Sequence, residues 1–277
     1  MITGKTTLIA HIGYPTESFK APMIYNPWFE RKGIDAFVVP MGVKAEDFAQ
    51  SFDAVLRLSN LRGALITMPH KVAVVQKVHE VTPAVHIAGA CNAVLRREDG
   101  SLLGDQFDGA GFVRGVVRKG RRLEGARVLV AGAGGVGSAI AASLAAAGVG
   151  ELALFDAHAD SALALAARLR KHYPRLQVRC GSNDPQGFNV VVNATPLGMK
   201  EGDPLPFDAA RISPETFVGE VVMKSEYTAL LRMARDKGCQ VQLGTDMLFE
   251  MIPAYLEFFG FGSATAEELR AIAAMVY

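Results

Sequence analysis

The sequence predicts an α/β protein of two domains, each built around a mostly parallel sheet. Three observations carry that prediction. Short segments rich in Val, Ile and Leu alternate with helical stretches along most of the chain, the order that gives parallel sheets covered on both faces. The chain has 277 residues, half of them hydrophobic and 21% charged, enough for two packed cores. Residues 127–156 contain strand, glycine-rich turn, helix, strand and acid in succession.

That last segment is the most informative. Arg127-Val128-Leu129-Val130-Ala131 reads as a buried strand and runs into Gly132-Ala133-Gly134-Gly135-Val136-Gly137. An apolar helix over 138–147 and a strand over 151–155 follow, ending at Asp156. This is the layout of a Rossmann-type, doubly wound dinucleotide-binding unit. Gly132 permits the tight turn, Gly134 lets backbone approach a pyrophosphate, and Gly137 lets helix pack on strand. The helix N-terminus offers unpaired N–H groups and the positive end of its dipole to phosphate. Asp156, roughly 20 residues beyond the glycines, can accept hydrogen bonds from both ribose hydroxyls of NAD and would repel a 2′-phosphate. NAD is therefore expected, with NADP second. The competing reading of Asp156 is a turn cap.

In chain order, strands are expected at 8–13, 36–39 and 63–68, the last stopped by Pro69. Helices are expected at 23–32, closed by Gly33, and at 45–58, where Phe48, Phe52, Val55 and Leu56 recur at helical spacing. A helix over 71–81 comes next, then two short strands at 92–96 and 101–104 around the Asp99-Gly100 turn, and a linking helix over 109–118. Beyond the glycine unit the pattern gives a helix at 160–173 with Asp160 or His158 as N-cap. Strands follow at 177–179, 189–193 and 217–218, and helices at 227–237, 246–259 and 265–276. The last helix is expected to return to the first domain. A substrate domain of 1–107 and 248–277 and a dinucleotide domain of 108–247 result.

A net charge of +1 gives no general attraction to nucleic acid or membrane. No apolar run reaches the roughly 20 residues of a membrane span, and the first seven residues lack the core of a signal peptide. Cys91, Cys180 and Cys239 are isolated, with no CxxC or Cys/His cluster. Neither a disulfide framework nor a metal site is expected, and the location expected is cytoplasmic. Monomer and homodimer fit equally.

The other chemistry lies in the first domain. Thr67-Met68-Pro69-His70-Lys71 ends the third strand, where ligands bind in open α/β sheets. A lysine there can hold or deprotonate a hydroxyl when burial or a cationic neighbour lowers its pKa. Asp105 and Asp108 precede the linking helix. Taken singly, Lys71 reads as a solvated surface lysine, Asp108 as a helix N-cap, Asp105 as a turn residue and His70 as a packed or exposed neighbour.

Read as a set, these segments resemble the shikimate/quinate dehydrogenase family, as a divergent member. Gly63-Ala-Leu-Ile-Thr67-Met-Pro69-His-Lys71 is similar to the family segment that carries the active-site lysine. Gly89-Ala90-Cys91-Asn92-Ala93 and Gly104-Asp-Gln-Phe-Asp108-Gly109 resemble the next two, and Gly132 to Gly137 the cofactor turn. Residues 192–199 resemble the segment lining the nicotinamide side, and Gly244 with Met247-Leu248 the start of a late helix that returns to the substrate. The resemblance implies reversible oxidation of a ring hydroxyl to a ketone, with Lys71 and Asp108 as the catalytic pair and Thr67 and Asn92 at the substrate. It implies cofactor contacts from the 132–137 turn (Ala133, Gly135 and Val136 included), Asp156, Asn193, Ala194, Thr195, Pro196, Gly244 and Met247.

Several positions depart from the family pattern. Phe19 and Ala21 occupy the places of two serines that bind a substrate carboxylate. Leu65, Ala93 and the Gln106-Phe107 pair replace other polar residues, and Met251 falls where a glutamine is usual. Ala157 stands where NADP-using members carry an arginine. The substrate set thus becomes Thr67, Asn92, Phe19, Ala21 and Met251. A less polar ring alcohol or ketone is expected to suit it better than shikimate, with Lys20 or Ser18 as an alternative anion contact. On their own, Met247 and Met251 read as core filler. The competing function is a dinucleotide-binding regulator without turnover. The altered substrate contacts favour it, and the presence of both Lys71 and Asp108 opposes it. A redox enzyme on a folate-like substrate matches these segments less well.

Overall fold

Two six-stranded sheets organise the chain in a computed structural model that describes residues 2–274. They belong to two units, Met1–Phe107 with Ile252–Tyr277, and Asp108–Met251. The sequence expectation ended the second unit at 247.

The first unit begins with β1 (Thr7–Gly13), α1 (Pro22–Lys32), β2 (Ala36–Gly42), α2 (Phe48–Val55) and β3 (Leu61–Ile66). β4 (Glu80–Val81), α3 (Pro83–Ala88), β5 (Ala93–Arg96) and β6 (Leu102–Asp105) complete its N-terminal part. The sheet order is β2-β1-β3-β5-β6-β4. β1 runs parallel to both neighbours, whereas β3–β5 and β5–β6 are antiparallel. α1 starts on Pro22, where a missing N–H costs nothing, and stops on left-handed Gly33. Its buried face carries Ile24, Tyr25, Trp28 and Phe29, each at most 1% exposed, and Ile24 and Phe29 each contribute roughly 1.5–3 kcal/mol of apolar burial. On the opposite face of the sheet Ala10 and Ile12 of β1 pack with Phe48 and Phe52 of α2.

The helix expected over 71–81 does not form. Residues Ala73–Lys77 make one 3-10 turn, Val78 is extended, and Glu80–Val81 pairs with β6. Val72, Val74, Val75 and Val78 lose rotamer freedom in a helix, and the edge of β6 offers their chain a ladder instead. The helix of this region is α3, not foreseen although Thr82-Pro83 opens it and left-handed Gly89 closes it.

The second unit runs through α4 (Asp108–Arg118), β7 (Arg127–Ala131), α5 (Gly135–Ala146), β8 (Glu151–Phe155), α6 (Ala159–His172) and β9 (Gln177–Cys180). It continues with β10 (Val190–Asn193), β11 (Phe217–Glu220), α7 (Ala229–Asp236), β12 (Val241–Gln242) and α8 (Gly244–Phe259), of which residues from Ile252 onward belong to the first unit. All pairs are parallel in the order β9-β8-β7-β10-β11-β12. Numbered within the unit this is 3-2-1-4-5-6, the doubly wound order whose direction reverses between β7 and β10. The two-residue β12 was not foreseen. Its Gln242 is buried and donates Nε2–H to the Phe112 carbonyl of α4 at 3.1 Å.

α9 (Ala266–Ala273) packs on α1 in the first unit, with Lys32 paired to Glu268 at 2.9 Å. The expected reach of this helix to Val276 lies outside the described residues. Among the described residues no helix is long and apolar enough to cross a membrane, and no three potential ligand side chains gather as a metal site.

α4 lies against α5 at Gly109, where any Cβ would overlap the Ala139 carbonyl and the Ser143 hydroxyl. Gly109→Ala is expected to destabilise the protein by roughly 3 kcal/mol or more, read as a lower urea midpoint with an unchanged slope. A midpoint equal to wild type would refute this packing.

Candidate active site

In the second unit, β7 ends at Ala131 and the chain turns through Gly132, whose φ of +100° suits only glycine. A Cβ at Gly132 would lie 2.6 Å from the Ala194 backbone, and one at Gly137 would overlap the Gly132 carbonyl. The glycine turn and the end of β10 therefore touch backbone to backbone. Gly134, the N-cap of α5, has nothing within 4 Å of a Cβ position. It leaves open approach to the N-terminal N–H groups of a helix, which is the donor set a pyrophosphate needs.

Asp156 stands at the end of β8. Its Oδ2 accepts from the Ala133 N–H at 2.7 Å and its Oδ1 from the His158 N–H at 2.8 Å. The carboxylate thus caps both the glycine turn and its own turn. Each oxygen keeps a further lone pair for a ligand hydroxyl.

The 193–197 segment is closed on itself. Asn193 Oδ1 accepts from the Thr195 N–H and hydroxyl, at 3.1 and 2.6 Å, and Asn193 Nδ2 donates to the Leu197 carbonyl at 2.9 Å. Thr195 Oγ1 accepts from the Leu197 N–H at 3.1 Å. This is a strand-ending Asx turn, with Ala194 and Thr195 half-buried and Pro196 exposed at the sheet's C-terminal edge. Beside it, and paired in register with Asn193, is Glu220, a residue that sequence reasoning missed. Its side chain is fully buried and its Oε2 accepts from Thr228 Oγ1 at 2.8 Å. Burial pushes its pKa up from 4.5 to about 7 against the hydrogen bonds from Thr228 and Asn193. α8 opens at Gly244, where a Cβ would overlap the Val222 carbonyl, and Met247 is buried. Met251 places its Cβ 2.7 Å from a Cβ position on Gly111 of α4.

In the first unit, β3 delivers Thr67, whose N–H donates to Ile12 of β1 at 2.9 Å. Lys71 follows the Pro69 turn, and its carbonyl accepts from the Cys91 N–H at 2.7 Å, which ties the lysine to the strand entering β5. Asn92 is buried, and its Oδ1 accepts from the Phe107 N–H at 3.0 Å. Asp108 is the next residue, the first of α4 and itself buried. Its expected place as an N-cap shifts by one position, into the helix. The Phe19 ring stacks on His11 at 4.1 Å, and Ala21 is buried at the start of α1. His70 is packed: its ring stacks on Phe48 at 4.1 Å and its Nε2 bonds the Val43 carbonyl at 2.7 Å. Asp105, expected as a turn residue, is instead the last residue of β6, paired with Ala93, and its Oδ1 accepts from the Thr82 hydroxyl at 2.6 Å and the Gln106 N–H at 2.7 Å. The Ser18 side chain lies outside what the structure describes. Burial pushes the Cys91 thiol up to about 12, which removes it as a nucleophile.

Sequence comparison places these features among known proteins. The family model "Shikimate dehydrogenase substrate binding domain" matches residues 11–94, and that of the ThiF family matches 113–159. The chain is 38% identical over 251 residues to a shikimate dehydrogenase (NADP(+)) of Rubrobacter xylanophilus, covering 89% of this chain and 88% of that one. It is 32% identical to a shikimate dehydrogenase (NADP(+)) of Rhodospirillum rubrum, over 98% of each. Among solved structures it resembles the shikimate 5-dehydrogenase of Listeria monocytogenes in complex with shikimate and NAD. The TM-score is 0.87 at 26% identity, covering 98% of this chain and 97% of that one.

Glu220 yields a pH-dependent expectation. Its folded-state pKa lies above the ordinary value, so the proton is bound more tightly in the folded chain. The contribution to stability is full below pH 4.5 and is lost as pH rises through about 7. Relative to Glu220→Gln, wild type is expected to lose on the order of 1–3 kcal/mol between pH 5 and pH 8, measured by urea unfolding. Parallel stability curves for the two proteins would contradict the assignment.

Proposed function

We propose a function from one premise: the chain belongs to the shikimate/quinate dehydrogenase family. It is an NAD-dependent oxidoreductase that interconverts a ring hydroxyl and a ring ketone of a shikimate- or quinate-like cyclic compound. The observation that carries this reading is the surroundings of Lys71 in the first unit. Its backbone is bonded to Cys91, its charge acts on the His11 ring, and Thr67 and Asn92 flank it in sequence on the neighbouring strand ends.

The nicotinamide cofactor, when bound, takes up or delivers the hydride. The remaining work falls to side chains. Lys71 takes the hydroxyl proton onto Nζ in the oxidative direction and returns it in the reductive one. Asp108, placed by the Phe107–Asn92 bond of the residue before it, orients lysine and substrate hydroxyl. Thr67 and Asn92 bind adjacent ring oxygens, while Phe19, Ala21 and Met251 supply apolar walls. The donor set of the 132–137 turn fits a pyrophosphate, and the Asp156 carboxylate fits a ribose diol. Residues 193–196, with Gly244 and Met247, serve the nicotinamide end.

The preference for NAD rests on Asp156 and Ala157. A 2′-phosphate some 4 Å from the carboxylate meets repulsion of about 1 kcal/mol per charge pair in bulk water and about 4 at an effective dielectric of 20. Ala157 provides no compensating cation. The two curated relatives are named for NADP, whereas the Listeria enzyme was solved with NAD.

The test is initial-rate hydride transfer with NAD and, separately, NADP, on shikimate, quinate and uncharged ring alcohols. Lys71→Ala is expected to lower kcat at least 10³-fold while leaving NAD affinity within twofold. Asp156→Asn is expected to narrow the NAD-over-NADP ratio of kcat/KM by tenfold or more. Tighter binding of NADP than NAD would overturn the cofactor assignment. Tight NAD binding with no transfer across the panel would instead favour a dinucleotide-binding regulator.

A further inference from the structure

His11 is a polar group of the first unit that the proposed chemistry does not use. It lies in β1 on the face opposite Ala10 and Ile12, and it is 8% exposed. Its Nδ1 is buried with no hydrogen-bond partner among the described residues. Buried polar atoms are nearly always satisfied, so a ring nitrogen left in this state points to a partner outside the protein.

Its surroundings identify that partner. In register, His11 lies opposite Leu65 of β3, and Leu65 lies opposite Ala93 of β5. Of the three side chains in this row, only His11 offers a hydrogen-bonding atom. The ring stacks on Phe19 at 4.1 Å with 29° between planes. Phe19 and Thr67 both reach Gly13, the next residue of β1 on the same face. Lys71 is close enough for its charge to act on the ring. His11, Phe19, Thr67 and Lys71 therefore gather at one end of β1 and β3, the C-terminal end at which open α/β sheets take ligands.

We propose that His11 is a substrate-recognition residue whose Nδ1 hydrogen-bonds an uncharged oxygen, a hydroxyl or ketone, of an alicyclic substrate. This rests on the reading of Lys71 as the marker of the substrate side. An imidazole stacked on a phenyl ring is a weakly polar wall, matched to the edge of a ring alcohol rather than to a carboxylate, which needs a charge or several donors of its own. Burial, with the Lys71 charge second, holds the His11 pKa down at about 3. The ring stays neutral across the working pH range, with one nitrogen donating and one accepting.

The experiment uses the full chain saturated with NAD and labelled with ¹⁵N-histidine. The chain has six histidines, and the His11 signals are identified by their loss in His11→Val. The probes are cis-cyclohexane-1,2-diol and shikimate. The diol is expected to shift the His11 ring nitrogens at saturation. His11→Val is expected to weaken the diol at least tenfold with NAD affinity within twofold of wild type, and His11→Asn, which keeps a polar atom near the Nδ1 position, to recover part of the loss. Unmoved His11 signals, diol affinity unchanged in His11→Val, no binding of the diol to wild type, or a larger response to shikimate than to the diol would each overturn the proposal. If His11→Val does not fold, His11→Asn identifies the signals and the wild-type titration decides. These are binding readouts, so absence of hydride transfer in the same samples would count against the dehydrogenase reading alone.

Discussion

The turn after β7 can exist only because no side chain stands between it and the end of β10. Gly132 lies against the Ala194 backbone, Gly137 lies under the Gly132 carbonyl, and the turn is tied to β8 through the Ala133–Asp156 bond. Three strand ends are thereby fixed to one another without side-chain filler. The N-terminus of α5, the Asp156 carboxylate and the 193–197 turn keep their spacing for the same reason. What a nucleotide would meet in this unit is mostly main chain and a single carboxylate, the parts of a protein least able to relax.

The first unit works by a different constraint. Its candidate site residues come from loops and strand ends held by hydrogen bonds: Lys71 through its carbonyl and Thr67 through its N–H, both on the main chain, and Asn92 through its side-chain Oδ1, which accepts from the Phe107 N–H. For Lys71 and Thr67 the anchor lies on the main chain, which fixes where the residue starts from the sheet. Burial makes the thiol of the cysteine within this network inert. Around the anchors the walls are apolar, with Leu65, Ala93 and Ala21 buried and Phe19 laid over His11.

How far the sequence could be read follows from how local each signal is. Strand, glycine turn, helix and acid over 127–156 depend on neighbours in the chain, and they appear in the structure nearly where the pattern puts them. α1 was legible from the Gly33 that closes it for the same reason. The 71–81 segment was not, because its valines disfavour a helix only mildly, and pairing with β6, remote in sequence, decided against one. α3 carried a readable Thr-Pro and Gly frame, but its six residues are too few for a helical period to show in the pattern. His11 and Glu220 were illegible for a deeper reason. Each looks like one polar residue in an apolar strand. Only the register, with Leu65 opposite one and Asn193 opposite the other, shows what they face.

The first unit is assembled from two stretches of chain with the whole second unit between them. α1 buries Trp28 and Phe29, and Phe29 meets the ring of Phe261 edge-on at 5.0 Å, while α9 lies alongside and Lys32 reaches Glu268. During synthesis the aromatic side of α1 emerges more than two hundred residues before its covering helix. At about 5–20 residues per second that interval lasts at least ten seconds. The second unit, continuous in sequence, can complete its sheet in that time. The first cannot, and its exposed tryptophan and phenylalanines are the surface a nascent-chain chaperone would meet.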